Sequence, residues 1–225
     1  LYAYWNVSEK VTLTMGNFNT FLGYEVITPT ANFNYSTSYL FSYGPFSHTG
    51  IKADIAISEK SSLMIALMNP TDATGFNPTG KYSLGLQYGY SGQYFNYLLN
   101  PDSYEIDYTG GFDLSDEFFL GINAAYADND GEGFSGVALY PQYATSDDFS
   151  IGLRGEYFTR MSDLVDDDPS VLALTLTGSY SVDNLIIKPE IRLDSWGSDV
   201  EPYFDADGAD SKSLSSFLVA AIYSF

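Results

Sequence analysis

Apolar and polar positions alternate by twos along most of this chain, the spacing of a β-strand whose successive side chains point to opposite faces. The run Gly80–Tyr90 is typical: Tyr82, Leu84, Leu86, Tyr88 and Tyr90 alternate with Lys81, Ser83, Gly85, Gln87 and Gly89. About thirteen such runs are predicted. They are Leu1–Val7, Val11–Phe18, His48–Ile57, Ser62–Asn69, Gly80–Tyr90, Gln93–Leu99, Tyr104–Leu114, Phe118–Ala127, Ser135–Thr145, Phe149–Thr159, Ser170–Ser181, Leu185–Asp194 and Ser213–Phe225. Pro189 has no N–H to give a ladder, which predicts a local bulge in its strand, and Pro141 raises the same expectation.

Two features of the connections sharpen this reading. Short polar turns such as Ser8-Glu9-Lys10, Ser58-Glu59-Lys60 and Ser91-Gly92 take turns with longer stretches, Asn19–Ser47, Pro70–Thr79, Asp128–Phe134, Arg160–Pro169 and Ser195–Lys212. The apolar faces run long enough for tilted membrane strands of about 9–11 residues. Sorting short turns to one end and long loops to the other is a property of outer-membrane barrels, not of soluble sandwiches. The expected fold is therefore all-β, a transmembrane antiparallel up-and-down barrel in one domain spanning residues 1–225. Loop parity makes Leu1–Val7 run toward the short-turn side, as the last strand does. A closed barrel with an even strand number then requires an odd number of strands before Leu1, about 14 to 16 in all.

The last strand carries its own signal. Phe217, Val219, Ala221, Tyr223 and Phe225 form one apolar face ending on aromatics, which resembles the C-terminal signal of bacterial outer-membrane barrels and implies the barrel-assembly machinery as a partner during insertion. A buried last strand of a soluble sandwich is the competing reading. Composition supports the barrel: aromatics make up 17% of the 225 residues, with 20 Tyr and 16 Phe, enough for girdles at both interfaces of a lipid bilayer. No apolar run approaches the ~18 residues of a membrane helix. There is no cysteine, hence no disulfide or thiol chemistry. The net charge of −20 argues against nucleic acid as a partner.

If apolar residues face lipid, the opposite faces line the lumen. The candidate pore-lining residues are Lys52, Asp54, Lys81, Glu105, Asp107, Asp113, Arg154, Glu156, Lys188, Glu190, Arg192 and Asp194. Both signs are present, which sets a field across a pore or simply pairs neighbours on its wall. The segment 19–47 is too long for a structureless loop in a compact domain. Its aromatic and Asn-rich content suits either a constriction folded into the barrel or a cap packed on itself outside.

In this quarter of the chain Gly16-Asn17-Phe18, Gly23-Tyr24-Glu25, Asn32-Phe33-Asn34-Tyr35-Ser36, Ser38-Tyr39, Gly44-Pro45-Phe46 and His48-Thr49-Gly50 resemble the putative β-barrel porin-2 family of OmpL-like proteins. The resemblance implies an outer-membrane porin of Bacteroidetes-type bacteria, with further N-terminal strands that favour about 16. It supplies a class of protein but neither a solute nor catalytic residues.

Enzymatic chemistry finds little support. His48 is the single histidine, so any Ser-His-Asp arrangement would have to use it, and its place at a strand start suits packing. No Cys/His metal pattern exists. Two acidic loops, Asp128–Glu132 and Asp205–Asp210, offer hard oxygens for calcium but miss the spacing of an EF-hand. No cofactor is expected beyond this weak calcium reading. Expected partners are outer-membrane lipid, the assembly machinery, and a second copy or another envelope protein. Two functions follow: passive diffusion of ions and small polar solutes with a mild cation preference, or a plugged barrel that anchors an envelope complex.

Overall fold

The computed structural model describes residues 1–77, 79–197 and 202–225. Its strands are β1 (Tyr2–Ser8), β2 (Val11–Asn19), β3 (Ser47–Ala56), β4 (Ser61–Met68), β5 (Ser83–Tyr90), β6 (Gln93–Leu99), β7 (Tyr104–Asp113), β8 (Phe118–Asn129), β9 (Glu132–Ala144), β10 (Phe149–Ser162), β11 (Ser170–Val182), β12 (Leu185–Trp196), β13 (Tyr203–Phe204), β14 (Asp210–Ser211) and β15 (Ser213–Tyr223). Thirteen of them form one sheet in chain order, every neighbour antiparallel, with β15 beside β12. β13 and β14 make a separate two-stranded hairpin within the last long connection. The sheet is open: β1 and β15 stand at its two ends.

Alternation sets which residues face out. On one face Ile51, Ile65, Leu67, Leu84, Leu86, Leu139, Leu172, Leu174, Leu176, Ile191 and Leu193 are exposed. On the other, Asp107, Asn123, Arg154, Glu156, Thr175, Thr177, Lys188 and Glu190 are buried. This inverts the usual soluble arrangement and is what a lipid solvent selects. The aromatic face of the last strand is exposed too, at Phe217, Val219, Ala221 and Tyr223, with Phe225 just beyond β15.

The sheet curls around the segment between β2 and β3. Residues 21–40 touch strands from β5 to β12, seven places apart in the sheet order. A flat sheet would spread those strands over about 34 Å at ~4.8 Å per strand. The segment carries a 3-10 turn, Pro29–Ala31, and one short helix, α1 (Tyr39–Tyr43), whose N-cap Ser38 accepts the Phe41 N–H at 3.0 Å. Apolar contacts hold it at both ends. Phe21 and Leu22 pack with Phe18, Met64, Met68 and Leu98, and Leu40 packs with Phe134, Tyr140, Phe158 and Val171.

Several expectations change in detail. Both prolines keep their strands in register, with no bulge. Pro189 pairs with Val219, and its N–H-less side faces the gap in the β11 ladder opposite Gly178. Pro141 pairs with Leu120 and breaks only the ladder toward β10. The expected loop Asp128–Phe134 is mostly strand: Asp130 and Gly131, both at positive φ, form a two-residue hairpin turn. The expected loop Arg160–Pro169 loses its first residues to β10. Of the expected loop Ser195–Lys212, residues 198–201 lie outside the described residues, as does residue 78 of Pro70–Thr79.

Candidate functional site: the inner segment and its wall

The polar face of the sheet holds the inner segment by its backbone. Wall carboxylates accept its N–H groups. Glu156 takes those of Leu40 (2.8 Å) and Tyr39 (2.9 Å), Glu190 those of Tyr35 (2.8 Å) and Ser36 (3.0 Å), and Asp107 that of Gly23 (3.1 Å). Wall cations donate to its carbonyls. Lys188 Nζ reaches Asn32 O (2.6 Å) and Phe33 O (3.0 Å), Arg192 reaches Thr37 O (2.7 Å), and Arg154 reaches Ser36 O (2.5 Å) and Thr37 O (3.2 Å). Irregular backbone removed from water needs such partners, because its N–H and C=O groups have no ladder to pair with. Charged partners make these hydrogen bonds stronger than neutral ones.

One side chain of the segment answers in kind. Glu25 Oε1 accepts from Arg154 Nη1 at 2.6 Å, and its Oε2 accepts from Ser38 N (2.7 Å) and Ser38 Oγ (2.5 Å). Asn34 donates to Thr177 at 2.7 Å, and Thr177 donates to Glu190 at 2.7 Å. Asp107 is held by Asn96 and Asn123 as well as by Gly23. Tyr39 donates to Asp194 at 3.2 Å and meets Tyr203 at 2.8 Å. Burial, the Tyr203 hydrogen bond and the Asp194 charge together push the Tyr39 hydroxyl well above the usual phenol range. Burial likewise raises Tyr24.

Glycines on the inner face make room for the segment. A Cβ at Gly152 would run into the Phe33 ring, and one at Gly121 into the Tyr24 ring, which stacks on Tyr140 with centroids 4.3 Å apart.

The twelve charged residues singled out in the sequence fall into four groups. Asp107, Arg154, Glu156, Lys188, Glu190, Arg192 and Asp194 lie behind the segment and hold it. Lys52 and Asp54 pair with each other on β3 at 2.7 Å. Glu105 is buried beside Leu40 and Pro45, and Asp113 is exposed at the end of β7. Lys81 is a correction: β5 begins at Ser83, so Lys81 sits in the preceding loop, exposed, 3.2 Å from Asp102. The alternating pattern extends two residues past the last ladder pair, Met68↔Ser83.

Glu25 and Ser38, named above only within the family-like motifs, and Asn96, Asn123 and Thr177 also build the site. Short polar side chains at inward positions carry no charge pattern, and Glu25 lies outside any strand. The two acidic loops are occupied locally. Glu132 accepts from Ser162 Oγ, and Asp205 accepts the N–H groups of Asp207 and Ala209. Among the described residues no three His, Cys, Asp or Glu groups are placed to hold a metal ion. His48 is buried between Phe18 and Phe21, with Thr20 Oγ1 3.0 Å from its Nε2.

An up-and-down antiparallel sheet, apolar outside and polar inside, curled around its own connecting segment, defines a porin-like β-barrel wall. The chain belongs to the family described as putative beta-barrel porin-2, OmpL-like, whose sequence profile matches residues 1–225. A comparison with curated proteins gives no match. Among solved structures, Acinetobacter baumannii OccAB4 is similar over 94% of this chain, with 13% identity and a TM-score of 0.48, and the chain spans 62% of that structure's length.

Proposed function

We propose that this chain forms the wall and inner constriction of an outer-membrane porin through which ions and small polar solutes diffuse passively, without catalysis. The observation that carries the reading is the inner segment: it is anchored to the wall by Glu156, Glu190, Lys188 and Arg154, while clefts stay open beside it. Further strands would close the open sheet to about 14 or 16. The excess of acids favours cations over anions. The aromatic last strand would serve as the signal for barrel assembly. Single-channel recording of the full-length protein in a planar bilayer tests the reading. Steady ohmic steps with a cation-selective reversal potential are expected. Silence from a folded barrel would overturn it.

A second reading has its own support. So many buried charged hydrogen bonds suit a permanent plug, and the barrel would then act as a subunit or anchor of an envelope complex. Silent bilayers together with stable co-purification of one envelope protein would favour it.

A further inference from the structure

The short-turn end of the inner face holds a cleft of about 610 Å³ beneath the inner segment. Four rings line it, and each lies over an inward glycine of a neighbouring strand. Phe21 covers Gly85, Tyr94 covers Gly89, Phe119 covers Gly111 and Tyr24 covers Gly121. A Cβ at Gly85 would come within 2.8 Å of the Phe21 ring, and one at Gly89 within 2.9 Å of Tyr94. The glycines thus let the rings settle against the wall and leave the space in front of them open. The remaining polar groups are acceptors or hydroxyls. Gln87 spends its Nε2 on Phe21 O (3.1 Å) and Asn96 Oδ1 (2.8 Å), which leaves its Oε1. Ser91, Thr109 and the exposed Asp113 carboxylate also line it. Among the described residues no Lys, Arg or His lines the cleft.

We infer that this cleft is a binding site for a neutral oligosaccharide, entered from the short-turn side of the barrel. The volume is that of a small-molecule site. Aromatic rings pack against the C–H faces of a pyranose, which are apolar, while its hydroxyls need acceptors at the rim. Asp113 and Gln87 Oε1 supply these. The absence of cations removes any affinity for phosphate or carboxylate solutes, and Asp113 repels them. The inference names a solute class for the proposed channel and rests on that reading for its biological sense; the site itself can be tested without conductance.

The experiment is calorimetric titration of the full-length folded protein with maltotriose, with choline as the contrasting cationic ligand. Saturable maltotriose binding is expected, weakened about tenfold or more by Phe119→Ala. Asp113→Ala, at an exposed position at the end of β7, is expected to weaken it several-fold. Absence of maltotriose binding, binding unchanged in Asp113→Ala, or saturable binding of choline in its place would overturn the inference. Bilayer recording of the same sample separates the two claims. Binding without conductance keeps the site and removes the channel; conductance without binding does the reverse.

Discussion

Arg154 Nη1 lies 2.6 Å from Glu25 Oε1, with 0% and 3% of the two side chains exposed. This ion pair joins the middle of β10 to the segment between β2 and β3. The same guanidinium also donates to Ser36 O, Thr37 O and, at 3.1 Å, to Thr175 Oγ1. One side chain therefore ties a stretch of irregular backbone to two strands. Removing one partner of such a pair leaves a buried charge without compensation, a loss of about 3–5 kcal/mol. Arg154→Met is expected to destabilise the barrel by this order in urea unfolding followed by heat-modifiable mobility. The double variant Arg154→Met/Glu25→Gln is expected to recover part of the loss. Equal stability of Arg154→Met and the parent would show that the segment does not depend on the pair.

Glu156 controls the N-terminus of α1, where the first N–H groups of a helix have no partner of their own. Glu156→Ala removes the acceptor of both Tyr39 N–H and Leu40 N–H. Hydrogen bonds to a charged group contribute about 1.5–3 kcal/mol, so exchange of these two amides is expected to quicken by about tenfold or more. The amides of Tyr35 and Ser36, held by Glu190, are expected to stay slow. Hydrogen exchange read by mass spectrometry distinguishes this local opening from a general loosening, which would contradict it.

Gly152 and Gly155 lie three residues apart on β10 and face opposite sides. A side chain at Gly152 meets the Phe33 ring, whereas one at Gly155 meets only Leu174 at 3.7 Å. Overpacking costs about 1–3 kcal/mol. Gly152→Leu is expected to destabilise the protein and to change the conductance by displacing the segment. Gly155→Leu, on the lipid side, is expected to do neither. Similar behaviour of the two in thermal unfolding and bilayer recording would refute the inward placement of Phe33.

Tyr39 gives a pH dependence of defined sign. Its folded-state pKa is raised above 10.0 by burial, by Tyr203 and by Asp194. The proton is held more tightly in the folded state, so the stability linked to Tyr39 is complete below pH 10 and falls as pH rises beyond it. Tyr39→Phe is expected to flatten the alkaline limb of a stability–pH curve while costing stability at neutral pH. An unchanged alkaline limb would mean that the hydroxyl titrates normally.

The strands were legible because lipid outside and polar groups inside enforce a period of two over long runs, as Leu172, Leu174 and Leu176 against Thr175 and Thr177 illustrate. Boundaries were less so. Lys81 continues the alternation of β5 without a ladder partner, and Asp128 and Phe134 belong to strands although their neighbourhood reads as loop. The charged inward residues could be named from parity alone. Their partners could not, since Glu156 and Tyr39 are 117 residues apart.

Alternation by itself determined the antiparallel sheet, the outward apolar face and the inward position of residues such as Arg154, Glu156, Lys188 and Glu190. Only the tertiary structure decided what those charges do. An extended strand fixes the side on which a residue stands by its own geometry. What it meets there depends on the curl of the whole sheet, which brings β5 and β12 to the same segment. That residues 21–40 lie against the polar face of the sheet rests on backbone hydrogen bonds to distant side chains, and no local pattern encodes those.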